Sequence, residues 1–258
     1  MTIKDGQRIE YIRNPIIEAV CQLRFPVILA IGAREPVQLQ ECIRETFPRY
    51  AQRLEKIPNS TMAVTNHTFL SENGLVKLCL TSHFIALSVV KYSSWKTFAG
   101  WLDEPLTHFI SIYRPAYFER VGLRYINGIS RELLSLEDVP WKELIVPKYL
   151  GVLADEASNE SSIHKFSLDT EMKLEQNVSA RIHAGLGLIQ RSVNSEGGIR
   201  KVRENNPRFI LDLDLFSLGK TPLQSAATTL DTIHDYADRF FSESITDKLH
   251  NAMEPVYI

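Results

Sequence analysis

The chain has 258 residues, 44% of them hydrophobic, and 29 Lys+Arg against 31 Asp+Glu give a formal charge of -2. Enough apolar side chains are present to offset the entropy of ordering, so dominant disorder is excluded, and 12 Gly, 12 Pro and 3 Cys exclude collagen-like and disulfide-scaffold proteins. An overall basic protein is excluded too, so any nucleic-acid surface has to be a local patch. The length fits one large domain or two small ones. Cys21, Cys42 and Cys79 form no C-x-x-C pair and read as reduced, mostly buried thiols. The first residues, Met1 to Gly6, hold no apolar signal core, and the longest mostly apolar run, Phe84 to Val90, is too short to span a bilayer. A cytoplasmic protein without membrane contact is the expectation.

In chain order, residues 16–25 read as a strand entered through Asn14-Pro15, with either the odd set (Ala19, Cys21, Leu23, Phe25) or the even set (Ile16, Val20) facing a core. Residues 36–54 carry Val37, Leu39, Ile43, Phe47, Tyr50 and Leu54 near a 3.6 period and read as a helix that Pro48 bends or ends early. Strands are expected at 61–70 and 75–91, joined through Glu72-Asn73-Gly74, with the second long and central. A helix over 95–113 has Ser94 as N-cap, and Pro105 argues for a kink in it. Residues 117–129 form a strand with Val121, Leu123 and Tyr125 on one face and Arg120, Gly122, Arg124 and Ile126 on the other. This order is β-α-β-β-α-β, the ferredoxin-like arrangement.

Residues 131–160 read as short helices and loops, with Asp155 to Ser162 the exposed connection. Strands resume at about 162–176, 178–192 and 207–217, with a tight turn at Gln176-Asn177. Asn194 to Pro207 reads as an exposed, mobile connection. A capping box at Thr221-Pro222-Leu223-Gln224 opens a long amphipathic helix reaching about Leu249. The fold class is therefore α+β: a ferredoxin-like half over 1–130 and a β-β-β-α half over 131–258, packed as one unit.

The stretch Tyr11-Ile12-Arg13-Asn14-Pro15-Ile16-Ile17-Glu18-Ala19-Val20 resembles the N-terminal signature of a sporadically distributed, uncharacterised prokaryotic family that opens with a Pro-Ile-x-Glu-Ala-Val motif. Arg120 to Asn127 is similar to a central element of that family, and Leu211-Asp212-Leu213-Asp214 to its C-terminal part. The resemblance covers most of the chain. It implies no catalytic residue. The patchy distribution implies a mobile or defence-associated setting, such as a toxin–antitoxin-like system.

Three constellations could carry chemistry. Asp212 and Asp214 alternate on a strand, ~7 Å apart, and could hold Mg2+ for nuclease or phosphotransfer work. Asp169, Glu171 and Glu175 would join them if their strand were a neighbour. The blander reading is a solvated polar face. Arg120 and Arg124, with Arg13 and Arg24 near the first strand and Tyr11 and Tyr125 close by, could bind a phosphate backbone and stack bases. The blander reading pairs these arginines with Glu18 or Glu119, and Glu18, set among apolar residues, needs such a partner if buried. Arg200, Lys201 and Arg203 form the densest basic patch, on a loop able to meet nucleic acid or an acidic protein.

The seven His have no metal-ligand spacing, and His183-Ala184-Gly185-Leu186-Gly187 reads as strand glycines permitting close backbone approach rather than a phosphate loop. The chain thus reads as a non-catalytic binding or interaction protein without a cofactor, its partner most simply another protein. The metal-dependent enzyme and the nucleic-acid binder stand as alternatives.

Overall fold

The protein is described by a computed structural model. The described residues are 9–56, 63–163, 165–175, 177–188, 190–195, 198–203 and 206–258, with the backbone path alone for 190–195 and 198–203. The elements are β1 (Ile9–Tyr11), β2 (Ile16–Arg24), α1 (Leu29–Ala33), α2 (Val37–Ile43), β3 (Arg49–Lys56), β4 (Ala63–Leu70), β5 (Val76–Leu80), β6 (Phe84–Val89), α3 (Trp95–Tyr113) and β7 (Phe118–Ile129). Short 3-10 turns between Glu132 and Ser162 lead to β8 (Ser167–Lys173), β9 (Val178–Gly187), β10 (Gln190–Ser195), β11 (Gly198–Arg203), β12 (Arg208–Thr221), α4 (Ala226–Ser242), α5 (Asp247–Ala252) and β13 (Pro255–Tyr257).

Nine strands form one antiparallel sheet in the order β3-β4-β5-β6-β2-β7-β12-β9-β8. β7 pairs with β2 on one side and with β12 on the other, so the two halves of the chain share this sheet. Register fixes the core. Cys21, Leu123, Leu215 and Ala180 lie in one row across β2, β7, β12 and β9, and Ala19, Tyr125, Leu213 and Ile182 lie in the next. All eight are buried, which settles the odd set of β2 as its inner face. Each fully buried Leu-sized side chain contributes about 1.5–3 kcal/mol. Over this face pack α3, through Phe98, Leu102 and Phe109, and α4, through Leu230, Ile233 and Ala237. Helices on one face leave the other to alternate outward, as antiparallel sheets do.

Several sequence expectations are corrected. The helix expected over 36–54 ends at Ile43, and β3 starts at Arg49. Pro48 lacks an N–H and biases Phe47 to extended backbone, while buried Phe47 anchors the turn. The single strand expected over 75–91 is two. Thr81 folds it back: its Oγ1 accepts from the backbone N–H of His83 and of Phe84, both at 3.1 Å. Four strands, not two, therefore separate the helices of the first half. Helix α3 runs unbroken through Pro105, held by buried residues on both sides of it. The stretch 194–207 is not simply a loop, since β10 and β11 pair as a hairpin.

The last helix starts late and stops early. Pairing with Phe118 carries β12 through to Thr221, past a register shift after Leu218, so Thr221 is a strand end rather than a cap. α4 ends at Ser242, Ile245 bridges to Ile145, and Thr246 caps the separate α5 by accepting from Leu249 N–H. β13 then pairs with β1, tying the end of the chain to Ile9–Tyr11. Cys21 and Cys79 are buried as expected, but Cys42 is exposed. His164 and Gln176 lie outside the described residues, as do the side chains of Arg200, Lys201 and Arg203. No helix among the described residues is long and apolar enough to cross a membrane.

Candidate functional site

Two regions gather polar side chains. The first is the helix-free face of the sheet, which holds most of the residues singled out from the sequence. Arg124 on β7 meets Asp212 on β12 through two parallel bonds, Nε to Oδ1 at 2.7 Å and Nη2 to Oδ2 at 2.5 Å. Arg120 donates to Asp214 at 2.6 Å and lies over the Phe216 ring. Cross-strand opposite charges are a stabilising pattern in sheets. The expected partners of these arginines, Glu18 and Glu119, are replaced by the two aspartates. Glu18 instead accepts from Ser88 Oγ on β6. Arg13 lies in the turn after β1 and pairs with Glu254 at 2.9 Å, and Arg24 is exposed at the end of β2.

This pairing bears on both alternatives. Asp212 and Asp214 are each engaged by a guanidinium, and no cluster of three metal-ligating side chains occurs among the described residues. β9 separates β12 from β8, so Asp169 and Glu171 do not converge on the pair. They meet His183 and Arg181 on β9 instead, at 2.8 and 3.0 Å. Tyr125, expected to stack bases beside Arg124, points to the opposite, buried face.

The second region is a cleft of about 590 Å3 on the helix-covered side, a volume usual for ligand sites. Its walls are the β1–β13 ribbon, the segment Tyr92–Lys96 that enters α3, and the inner flank of α4, with Tyr125, Asn127 and Leu213 from the sheet as floor. The local sequence explains these placements. Ser94 Oγ caps α3 by accepting from Thr97 N–H, which fixes Trp95 in the first turn. His234 and Asp238 lie four residues apart on α4, hence on one helix face.

The cleft walls are tightly bonded. Tyr125 Oη lies 3.0 Å from His234 Nδ1, and His234 Nε2 lies 3.4 Å from Asp238 Oδ2. The Trp95 ring stacks on the His234 imidazole with centroids 4.6 Å apart, and Trp95 Nε1 donates to Asp231 at 2.9 Å. Tyr92 stands edge-on to Tyr125 at 5.4 Å. Burial, reinforced by Tyr92, pushes the Tyr125 phenol well above its usual range. Asn127, 2% exposed, donates to the Leu211 carbonyl at 2.9 Å.

At the ribbon end, His250 Nδ1 lies 2.9 Å from Tyr11 Oη and its Nε2 lies 3.2 Å from Tyr257 Oη, so one imidazole joins both terminal strands. Burial lowers the His250 pKa, partly offset by Asp247. Sequence spacing pointed to none of Tyr92, Trp95, His234 and Asp238 as a site, because they come from two distant parts of the chain, the segment entering α3 and helix α4. The i, i+4 spacing of His234 and Asp238 was the one local signal. Comparison of the chain with protein-family models and with curated proteins finds no match.

Proposed function

We propose that the protein is a non-catalytic binding protein that engages its partner, most simply another protein, through the cleft between α3, α4 and the terminal ribbon. The observation that carries this reading is the cleft itself: a ligand-sized recess with aromatic walls whose His234, Tyr125 and Asp238 are bonded to one another. Such walls are pre-organised, and pre-organisation lowers the entropic cost of binding. Pairing of Asp212 and Asp214 with arginines argues against the metal-dependent enzyme. It likewise lowers the positive potential that a sheet-face nucleic-acid binder needs.

The finer readings go with this proposal. Adjacency of β2 and β7, with β6 on the other side of β2, supports a ferredoxin-like kernel extended by β3 and β4. Kinship with the Pro-Ile-x-Glu-Ala-Val family and a defence-associated setting rest on the sequence resemblance, and a cytoplasmic location on the reading of Cys21, Cys42 and Cys79 as reduced thiols. The test is affinity capture from the native host with the wild type and with Ser93→Trp, which sets a large ring on an exposed lining position. The reading expects one specific partner that the variant loses. Equal capture by both chains would refute it.

A further inference from the structure

We infer that the free edge of β3 is a dimer interface, taken by β3 of a second copy of this chain in antiparallel pairing about a two-fold axis at Gln52. The inference is independent of the cleft reading. β3 ends the nine-stranded sheet, and among the described residues no strand pairs with its outer side. All eight of its residues, Arg49–Lys56, are exposed. An open strand edge invites pairing, and proteins blunt it with Pro, bulges or short strands. β3 holds no Pro, and its register with β4 is unbroken. Pairing of β4 with β5 stops at His67 and Leu80, so the far ends of β3 and β4, from Arg53 and Asn66 to Lys56 and Ala63, form a two-stranded arm. Two strands alone are marginally stable in water, and a third strand supports them.

Backbone alternation fixes which groups point outward. Ser71 N–H donates to the Val76 carbonyl, so odd positions of β4 bond to β5 and even positions bond to β3. The even β4 residues face Arg49, Ala51, Arg53 and Glu55. Tyr50, Gln52, Leu54 and Lys56 therefore turn their N–H and C=O groups to the open side, and two copies pair with even residues opposite even ones.

Side chains choose the register. With the axis at Gln52, Arg49 faces Glu55 of the second copy and Tyr50 faces its Leu54, an opposite-charge pair and an apolar pair of the kinds that stabilise sheets. An axis at Arg53 sets that arginine against itself, and an axis at Ala51 sets Arg49 against Arg53. Arg49 donates to the Ser71 and Glu72 carbonyls and Glu55 accepts from the Asn66 amide, all neutral groups. Tyr50 and Leu54 are 40% and 77% exposed, and the pairing shields both. The other sheet edge, β8, does not suit self-pairing, because an axis at its central Thr170 sets Asp169 against Glu171. A two-fold axis closes the assembly at two copies.

The test is sedimentation equilibrium of the full chain from low micromolar concentration to the highest that stays soluble, with thermal melts alongside. The inference expects the mass to rise from one chain to two. Gln52→Pro removes an outward N–H that β4 does not use, so it should keep the melting temperature and weaken the dimer by about tenfold. Arg49→Glu alone and Glu55→Arg alone each set like charges across the axis and should lose the dimer. Mixed one to one they should regain it as a heterodimer, which unfolded variants could not do. A wild type that stays monomeric, a dimer unchanged in all three variants, or a mixture that fails to dimerise would overturn the inference. So would a monomer whose capture of a host protein is lost in Gln52→Pro, because the edge would then belong to a foreign strand.

Discussion

A double-mutant cycle on Arg124 and Asp212 tests whether the sheet-face charges are a structural pair. The two bonds of 2.7 and 2.5 Å join side chains that are 47% and 13% exposed. Fully exposed pairs couple by about 0.2–1 kcal/mol, and bidentate geometry with one shielded partner moves this one to the top of that range. The expected coupling is therefore about 1 kcal/mol, well below the 3–5 kcal/mol seen when a fully buried pair is broken. Arg124→Ala, Asp212→Ala and the double variant are compared by urea unfolding, with stability taken from midpoint and slope. Raising NaCl to about 1 M shortens the screening length to ~3 Å and weakens the coupling at the exposed end. A coupling under about 0.3 kcal/mol would refute the pairing argument. So would a melting temperature that Mg2+ raises in the wild type and not in Asp212→Ala, because ligand linkage of that kind marks a metal site.

Other outcomes follow from burial. The His67 and His250 pKa values are both lowered from 6.5, chiefly by desolvation. The fold favours their neutral forms, so their contribution is present above the unfolded value and is lost as pH falls below about 6.5. Thermal melts near pH 8 and near pH 5.5 should show this loss, and His67→Gln with His250→Gln should flatten it. At Gly185 an added Cβ would stand 2.3 Å from the Phe166 carbonyl oxygen. Gly185→Ala should cost about 1–3 kcal/mol in urea unfolding, and a neutral effect would contradict the close approach. Of the three thiols, Cys42 should react rapidly with a thiol reagent in the native state. Cys21, buried with its pKa pushed up to about 12, and Cys79, raised by burial, should wait for unfolding.

How far the sequence could be read depended on whether one local rule acted alone. Ser94 and the apolar stripe behind it agree over a long stretch, and α3 lies where they predict. The alternation likewise placed Arg120 with Arg124 on one face of β7 and Asp212 with Asp214 on one face of β12, but not the two pairs together, since register between distant strands has no local signature. Where two rules competed, the nonlocal one prevailed. Helical periodicity over 36–54 yielded to Pro48 and to pairing with β4. The Thr221 capping box yielded to pairing with Phe118. The cleft was illegible for the same reason, because Tyr11, Trp95 and His234 come from β1, α3 and α4, which are far apart in the chain and meet only in the tertiary fold.

The most direct test of cleft binding follows the three tryptophan indole N–H resonances during titration with the partner captured from the native host, with Trp95 assigned through Trp95→Phe. Trp95 lines the cleft, and Trp141 is fully buried beside Phe209 at another part of the core. The account predicts a saturable shift of the Trp95 signal with Trp141 unmoved. A titration that leaves Trp95 in place while perturbing the Arg124 side chain on the opposite face of the sheet would contradict it.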